Sequence, residues 1–212
     1  MKRLVIASNN PGKLRELRAM LEPLGILAIP QAELGVGEAD EPHETFLENA
    51  LAKSRFASRA TGLASLADDS GLCVPALGGA PGVHSAYYAG HEGTRDARDA
   101  RNNAKLVAAM HGVADRRAFY YGVLVFLEDA HDPTPTVTEG FWHGQIVAEG
   151  RGSGGFGYNP HFLTVRGLTA AQLDEDEKNR LSHRGQALAT MARRLRERGF
   201  AASPSAGHPS SP

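Results

Sequence analysis

Apolar residues follow two different periods along the chain, and together they predict an α/β fold. Residues 3–7, RLVIA, are typical of a short buried strand, whereas Leu14, Leu17 and Leu21 recur at helical spacing. Two long runs rich in β-branched and aromatic residues, beginning near residue 117, indicate an antiparallel hairpin. We therefore expect a mixed β-sheet with flanking helices, divided into two lobes around a central substrate cleft.

Four polar residues mark the expected helix starts. Asn10 precedes the first helix and Thr45 the second, where Glu48 would complete a capping box. Ser182 is expected to cap the last helix, and Thr169 a brief helix before it. Each of these four side chains offers an oxygen to the free backbone N–H groups of a first helical turn.

The composition indicates one domain of ordinary globular character. The chain has 212 residues, of which 42% are hydrophobic and 22% charged, and this is enough for a sizeable core. We expect a single domain over residues 1–199. Residues 200–212 read FAASPSAGHPSSP, and a segment with so few large apolar residues is expected to be a disordered tail.

Charge and cysteine content exclude two classes of partner and indicate a compartment. Lys and Arg total 23 and Asp and Glu total 24, so no overall field favours nucleic acid or a membrane surface. No apolar stretch approaches the roughly 20 residues of a membrane span, and the segment after Met1 does not read as a secretory signal. The single cysteine, Cys73, excludes an internal disulfide and is typical of a reducing compartment. We therefore expect a cytoplasmic protein.

Two adjacent aspartates, Asp68 and Asp69, interrupt the apolar stretch SLADDSGLCV. Neighbouring side chains on a strand point to opposite faces, so in a covered strand one carboxylate would point inward and would need a partner. The alternative is that the strand ends at Ala67 and that residues 68–71 form a turn, because Asp, Ser and Gly are turn formers. Taken alone, the stretch favours the turn.

Residues 8–13, SNNPGK, are a candidate anion site. Free N–H groups and the macrodipole attract anions to a helix N-terminus, whereas a cation in the first turn, here Lys13, is electrostatically unfavourable. A bound anion would reverse that cost. The segment has neither the Walker spacing nor a GxGxxG turn, and a well-capped helix with a solvated lysine is the alternative interpretation.

Two further segments carry candidate binding residues. In KNRLSHRGQAL, His183 and Arg184 would begin the last helix and Lys178 precedes them, so cations again gather at a positive helix end. A triphosphate would explain both sites, and solvated loop charges are the alternative. We expect that removing either helix-start cation leaves the ligand-free protein as stable as before or slightly more stable. In GGFGYNP, Phe156 and Tyr158 could stack on a base or pack beneath a turn.

Acidic side chains could hold a divalent metal. Glu41 and Glu44 lie in an acidic loop, and with Asp68 and Asp69 they offer the hard oxygen ligands that suit Mg²⁺. Without a metal, the two glutamates would be solvated loop charges.

Taken together, in the order in which they occur along the chain, these motifs resemble those of the inosine triphosphate pyrophosphatase family. Its members cleave non-standard purine nucleoside triphosphates. The resemblance runs from Lys2 to about Arg198, and several separated motifs in the right order are more specific than any one of them. It rests on SNNPGKLREL, TFLENALAKS, ADDSGL, LGGAPGVHSAYYAG, GGFGYNP and KNRLSHRGQAL. It implies an elongated mixed α/β fold with a cleft between two lobes, a homodimer, dependence on Mg²⁺, and conversion of ITP, dITP and XTP to a nucleoside monophosphate and diphosphate.

The resemblance also implies a role for each matching residue. Asp69 would be the general base and a metal ligand, and Glu41 the other metal ligand. With Mg²⁺ and a water as partners, the two aspartates would lie at the end of a central strand, where open α/β sheets place their chemistry. The implied substrate contacts are Ser8, Asn9, Asn10, Pro11, Gly12, Lys13, Ser70, Phe156, Gly157, Tyr158, Asn159, Lys178, His183 and Arg184.

One position departs from the family pattern, because Asn159 stands where members usually have aspartate. An ionised aspartate only accepts hydrogen bonds, whereas an amide donates and accepts and could rotate to suit either base. If this side chain reaches the base, we expect weaker selection against ATP than in relatives with aspartate.

Two other functions stay open at this point. An aspartyl-phosphate phosphotransferase would also use paired acids, although its Asp-x-Asp-x-Thr/Val motif is absent from the sequence. A regulatory nucleotide-binding protein without catalysis is the other, and the presence of Lys13, Glu41 and Asp69 together argues against it.

Overall fold

One six-stranded sheet and five α-helices make up the computed structural model, which describes residues 2–202. The strands are β1 (Lys2–Ile6), β2 (Ile26–Pro30), β3 (Ala64–Cys73), β4 (Arg117–Leu127), β5 (Thr136–Ile146) and β6 (Phe162–Thr164). The helices are α1 (Pro11–Leu21), α2 (Phe46–Thr61), α3 (Arg95–Ala109), α4 (Glu175–Leu181) and α5 (His183–Glu197). None of the helices in this part of the chain combines the length and the apolar character that crossing a membrane would require.

The sheet is mixed, with strand order β2-β1-β3-β4-β5-β6. β1 pairs in parallel with β2 and β3, and the pairings from β3 through β6 are antiparallel. The predicted mixed α/β class and the predicted hairpin, which is β4–β5, are therefore confirmed. The division into two lobes with a cleft stays a prediction.

Helices cover both faces of the sheet because apolar side chains of the central strands alternate between the faces. Leu4 and Ile6 point to one face and pack with α1 and α5 residues such as Leu17 and Leu188. Val5, between them, points to the other face and packs with small residues of α2. A third apolar cluster, which includes residues of α3 and the far ends of β3, β4 and β5, extends the core beyond these two layers.

Three of the four predicted caps are confirmed. Asn10, followed by Pro11, caps α1, Thr45 caps α2, and Ser182 caps α5 through the Gly185 N–H at 3.1 Å. The cap predicted at Thr169 is wrong. That residue forms an isolated bridge with Leu163, and Asp174 caps α4 instead. Aspartate and threonine are both favoured N-cap residues, so the sequence alone did not decide between Asp174 and Thr169.

The turn favoured for residues 68–71 is wrong, because β3 continues through both aspartates to Cys73. Asp68 and Asp69 are paired with Leu124 and Val123 of β4, in the interior of the strand rather than at its end. The pairing of β3 with the shorter β1 stops at Leu66. The aspartates thus lie just beyond the end of β1, where the loop into α1 begins.

The expected boundary at residue 200 is also placed differently. Phe200 packs edge-on against Phe126, with ring centroids 4.7 Å apart, and the Ala202 N–H donates to the Leu24 carbonyl at 3.1 Å. The domain therefore includes residues 200–202, because one aromatic side chain is enough to bind this short segment to the core. The remainder of the expected tail, residues 203–212, lies outside the described residues.

Candidate active site

The adjacent aspartates of β3 belong to two separate charge networks, because their side chains point to opposite faces of the sheet. Arg184 Nε lies 2.8 Å from Asp68 Oδ2, and Lys13 Nζ lies 2.6 Å from Asp68 Oδ1. On the other face, Lys53 Nζ lies 2.8 Å from Asp69 Oδ1. Asp68 is 1% exposed and Asp69 is 7% exposed. Each buried carboxylate therefore has the cationic partner that its burial requires.

The network around Asp68 joins three helices. Arg184, at the start of α5, also donates to Glu16 of α1, and Lys178 of α4 lies 2.6 Å from Glu16 Oε1. With Lys13, three cations surround the two carboxylates, so the network carries one net positive charge. This charge lies near the N-termini of α1 and α5, where an anionic ligand is favoured by the helix dipoles as well.

The ion pairs fix the charge state of this network. Burial alone would raise the pKa of Asp68, but Arg184 and Lys13 outweigh it and hold that pKa well below its ordinary value. Burial would likewise raise the pKa of Glu16, and Arg184 with Lys178 lowers it below its ordinary value. Both carboxylates are therefore ionised at neutral pH.

The expectation of uncompensated cations at two helix starts is wrong. Arg184 is 3% exposed and paired with two carboxylates, and Lys13 is paired with Asp68. His183 is not a cation, because burial, assisted by Arg184, lowers its pKa to about 3. Its neutral ring stacks on Tyr120, with centroids 5.1 Å apart. At the helix starts, Lys13 and Arg184 are thus paired with carboxylates and His183 is neutral, which sequence spacing alone did not reveal.

Ser70 lies inside the same network. Its Oγ donates to Asp68 Oδ1 at 2.9 Å and accepts from Arg184 Nη2 at 3.0 Å. The predicted substrate contacts of β3 and α5 are therefore brought together by direct hydrogen bonds.

Lys53 of α2 connects Asp69 with Glu41. Its ammonium lies 2.8 Å from Asp69 Oδ1 and 2.6 Å from Glu41 Oε1. Burial alone would lower the pKa of Lys53, but the two carboxylates outweigh it and raise that pKa. Burial raises the pKa of Asp69, against the lowering effect of Lys53. The pKa of Asp69 is thus set mainly by burial, which raises it, against Lys53, which lowers it, with smaller effects from Lys13 and Glu41.

Glu41 and Asp69 fit a divalent cation. Their oxygens converge on a single cation, the Lys53 ammonium. Proteins bind Mg²⁺ through one or two carboxylates, and waters and substrate phosphates complete the shell. Clusters of three or more potential metal-binding side chains do not occur within residues 2–202. Glu44, the other predicted acid of this loop, is exposed.

The predicted phosphate loop is organised by hydrogen bonds to the Asn10 side chain. Its Oδ1 accepts from the N–H groups of Gly12 and Lys13 at 3.0 and 3.1 Å. Ser8 Oγ accepts from the Asn10 N–H at 3.2 Å. Arg95 Nη1 donates to the same Asn10 oxygen at 2.8 Å, which brings the start of α3 onto the loop.

The aromatic turn lies directly against this loop. A Cβ at Gly12 would lie 2.5 Å from the Phe156 ring, so glycine is required for this close approach. The Arg95 guanidinium and the Lys178 ammonium lie 4.6 and 5.2 Å from the Phe156 ring centroid. The half-buried ring is therefore held among cations beside the phosphate loop, in a suitable place for stacking on a base.

Tyr158 packs beneath the turn, as the alternative interpretation had it. Its side chain is 3% exposed and its hydroxyl donates to the Ser85 carbonyl at 2.8 Å. Helix α3 holds the turn from outside, because the Gly157 N–H donates to Asp99 Oδ2 at 2.8 Å and the Gly157 carbonyl accepts from Asn103 at 2.9 Å. Because Tyr158 is buried, Phe156 is the aromatic residue of this turn that could stack on a base.

Three predicted substrate contacts have polar atoms that the fold does not satisfy. Within residues 2–202, the buried side-chain atoms that lack a hydrogen-bond partner are Asn9 Oδ1, Asn103 Oδ1, Asn159 Nδ2 and His183 Nδ1. Buried polar groups are normally paired, so such atoms are candidates for contact with a ligand. Three of these four unpaired atoms belong to predicted substrate-binding residues, which supports the prediction that a ligand binds here.

Sequence reasoning missed four residues that the structure brings into the site: Glu16, Lys53, Arg95 and Tyr120. For two of them a signal existed. Lys53 lies on the face of α2 that Ala50 and Ala57 bury, and Glu16 lies on the buried face of α1. A charge at such a position requires a partner. The other two act through contacts distant in sequence and gave no local signal.

Comparisons with known proteins point to one family. The Ham1 family model matches residues 4–194. A dITP/XTP pyrophosphatase of Nitrosomonas europaea is 59% identical over 198 residues, which cover 93% of this chain and 96% of that protein. One from Bordetella pertussis is 58% identical over 200 residues, covering 94% and 93%. The solved structure of a HAM1 protein from Coxiella burnetii has a TM-score of 0.85 and 44% identity, covering 93% of this chain and 100% of that one.

Proposed function

This chain belongs to the Ham1 family, and we propose that it hydrolyses ITP, dITP and XTP to the nucleoside monophosphate and diphosphate. The two relatives described above are named for dITP and XTP. From the chain's own residues, the proposal rests on the separation of Asp68 and Asp69 into two networks. One face of β3 gathers cations for phosphates, and the other keeps a carboxylate for the chemistry.

Three cations supply the charge partners of a triphosphate. Lys13, Lys178 and Arg184 share only two carboxylates, so the network has positive charge to spare. A triphosphate would compete with Glu16 and Asp68 for these cations and would gain from the two helix dipoles. Hydrolysis of a phosphoanhydride depends mainly on such positioning and charge neutralisation.

Asp69 is the general base in this proposal. Burial raises its pKa toward the range in which a base works best at neutral pH. The nearby Lys53 ammonium keeps the ionised form favoured. A water beside Asp69 would give its proton to a carboxylate oxygen as the water oxygen attacks a phosphorus atom of the substrate, and diphosphate would leave.

The proposal extends to Mg²⁺ as cofactor, with Glu41 and Asp69 as its protein ligands. When bound, Mg²⁺ would neutralise charge on the triphosphate and make a bound water more acidic. Lys53 contacts the same two carboxylates, so lysine and metal would compete for them.

We also propose that the protein is a homodimer. Phe141 on β5 is 44% exposed, and the rings of Tyr121, His143 and Phe119 lie 4.8, 6.2 and 5.9 Å from it, centroid to centroid. An exposed cluster of aromatic side chains is typical of a protein–protein interface. Light scattering should give twice the chain mass of 22.6 kDa, and F141K should give the chain mass.

A cytoplasmic location, supported by the single cysteine, belongs to the same proposal.

The products test the proposed reaction. Incubation of ITP with the protein should give equal amounts of IMP and diphosphate, resolved by anion-exchange chromatography. Formation of IDP and inorganic phosphate would contradict the proposal. A phosphorylated protein trapped by acid quench would instead support the aspartyl-phosphate alternative.

A further inference from the structure

Arg95, the first residue of α3, carries a charge that no carboxylate within residues 2–202 neutralises. Asp99 has the i,i+4 spacing of an ordinary helical partner, but its Oδ2 accepts from the Gly157 N–H at 2.8 Å instead. Asp96, the other acidic neighbour, is exposed and forms no ion pair with Arg95. A cation in the first turn also opposes the helix dipole. The uncompensated cation that the sequence suggested for α1 and α5 therefore occurs at the start of α3.

Two contacts place this charge against the predicted phosphate loop, residues 8–13. Arg95 Nη1 donates to Asn10 Oδ1 at 2.8 Å, and the guanidinium carbon lies 4.6 Å from the Phe156 ring centroid. That ring packs against Gly12, where a Cβ would lie 2.5 Å from it. The Arg95 side chain is only half-buried. The guanidinium thus lies beside the first turn of α1 and is accessible to a ligand.

The bond between Arg95 and Asn10 can be exchanged at little cost. Asn10 Oδ1 also accepts from the N–H groups of Gly12 and Lys13, at 3.0 and 3.1 Å. An amide oxygen has two lone pairs, so these two bonds satisfy it without Arg95. A phosphate oxygen in place of this neutral acceptor would give Arg95 a charge-assisted hydrogen bond, which is the stronger kind.

The first turn of α1 has few backbone donors left for a phosphate. Its first residue, Pro11, has no N–H, and the N–H groups of residues 12–14 all donate to Asn10. An anion here therefore depends on side-chain donors. The Lys13 ammonium is already paired with a carboxylate, whereas Arg95 is not.

We propose that Arg95 is a substrate-binding residue that donates to a phosphate oxygen of the bound triphosphate, in exchange for its bond to Asn10. This inference rests on the proposed function and adds to its site a residue of α3 that lies outside the motifs named above. The planar guanidinium fits two oxygens of one phosphate group. The contact involves no base, so it should strengthen the binding of ITP and of inorganic tripolyphosphate alike.

Binding without turnover tests this contact separately from hydrolysis. Isothermal titration calorimetry in EDTA would give the affinities of ITP and of inorganic tripolyphosphate for the wild type and for variants at Arg95. R95M removes the charge and keeps an unbranched side chain beside the ring. It should weaken both ligands by about tenfold or more, the effect of one hydrogen bond to a charged group. R95K keeps the charge without the planar fork and should weaken both ligands less.

R98M is the matched control. Arg98 lies one turn further along α3, where its Nη1 donates to the Gly93 carbonyl at 3.0 Å and its guanidinium carbon lies 5.3 Å from the Tyr87 ring centroid. Its contacts are thus of the same kind but do not reach the phosphate loop. R98M should bind both ligands as the wild type does.

Salt separates a phosphate contact from a structural role. Salt screens the attraction between an accessible cation and a phosphate, so the ratio of wild-type to R95M affinity should fall as the NaCl concentration is raised. The melting temperature of ligand-free R95M should stay close to that of the wild type. A loss of affinity that is independent of salt and accompanied by a lower melting temperature would show a merely structural role.

Other outcomes would also overturn the inference. They are unchanged affinities in R95M, weakening of ITP but not of tripolyphosphate, equal weakening in R98M, and a wild type that does not bind tripolyphosphate. If circular dichroism shows that R95M does not fold, R95K decides by the same comparisons. A wild type that binds both ligands as expected but releases no diphosphate from ITP would refute the proposed function and leave this inference standing.

Discussion

The Lys53 ammonium lies 2.8 Å from the Asp69 carboxylate, so the proposed general base is paired with a buried cation before any substrate binds. Burial raises the pKa of Asp69, and Lys53 opposes that rise. The lysine therefore lowers the pH at which the base becomes ionised. Lys53 also contacts Glu41, so the two proposed metal ligands share one cation.

K53M should move the acid limb of the pH profile of kcat/KM to higher pH. Removing the cation removes the largest of the effects that lower the pKa of Asp69, so less of the base is ionised at a given pH. The profile for ITP hydrolysis, recorded for both proteins at one Mg²⁺ concentration below saturation, measures the shift. K53R, which keeps the charge, should stay closer to the wild type, and equal profiles for K53M and wild type would show that Lys53 does not tune the base.

E41Q should raise the Mg²⁺ concentration needed for half-maximal activity, because one of the two proposed carboxylate ligands is lost. A titration of activity with Mg²⁺ measures this, and EDTA should abolish the wild-type activity. E44Q is the matched control, since Glu44 is an exposed acid of the same loop. An unchanged Mg²⁺ requirement in E41Q would remove Glu41 from the metal site.

R184A should destabilise the ligand-free protein by about 3 kcal/mol, the lower end of the cost of breaking a buried ion pair. The lower end is expected because Asp68 keeps Lys13 and Glu16 keeps Lys178. Denaturant unfolding measures the change. R180A, at an exposed arginine, should lie within about 0.5 kcal/mol of the wild type. Equal stability of R184A and wild type would restore the interpretation of a solvated, dipole-opposed cation.

The stability that Asp68 and Glu16 contribute should be lost in acid. Both have pKa values lowered in the folded protein, so their contribution is complete above the unfolded-state values near 4 and falls as pH drops through the folded-state values. Asp69, whose pKa is raised, works in the opposite direction. The difference in unfolding free energy between wild type and D68N should therefore shrink from pH 6 to pH 3. A difference independent of pH would mean that Asp68 titrates alike in both states.

Local signals predicted most of the fold. Periodicity and capping residues such as Asn10 and Ser182 identified helix starts, because a cap is a hydrogen bond between near neighbours in sequence. The same logic failed at residues 68–71. Local turn preference favoured a break there, and the cations that stabilise a strand through two carboxylates, Arg184 and Lys53, come from distant segments.

The sequence identified some residues that the structure brings together, such as Lys13 and Arg184, but not the charges around them. Spacing identified His183 and Arg184 as cations at a helix start, whereas the fold neutralises His183 by burial and pairs Arg184 with Asp68. These states depend on burial and on partners such as Glu16, more than 100 residues away in sequence. Sequence spacing carries no information on either quantity.

Diphosphate release shows whether Asp69 drives the hydrolysis of non-standard purine nucleoside triphosphates by this chain. Release from ITP, dITP, XTP, GTP and ATP would be compared at saturating Mg²⁺ for the wild type, for D69N and for D40N, a control at an exposed aspartate. Wild type and D40N should hydrolyse ITP, dITP and XTP much faster than ATP or GTP. D69N should lose a factor of roughly 10²–10⁴ with an unchanged circular dichroism spectrum, because Lys53 keeps Glu41 as a partner. Equal turnover of ATP and ITP by the wild type would contradict selective hydrolysis, and near-normal turnover of ITP by a folded D69N would show that Asp69 is not the base.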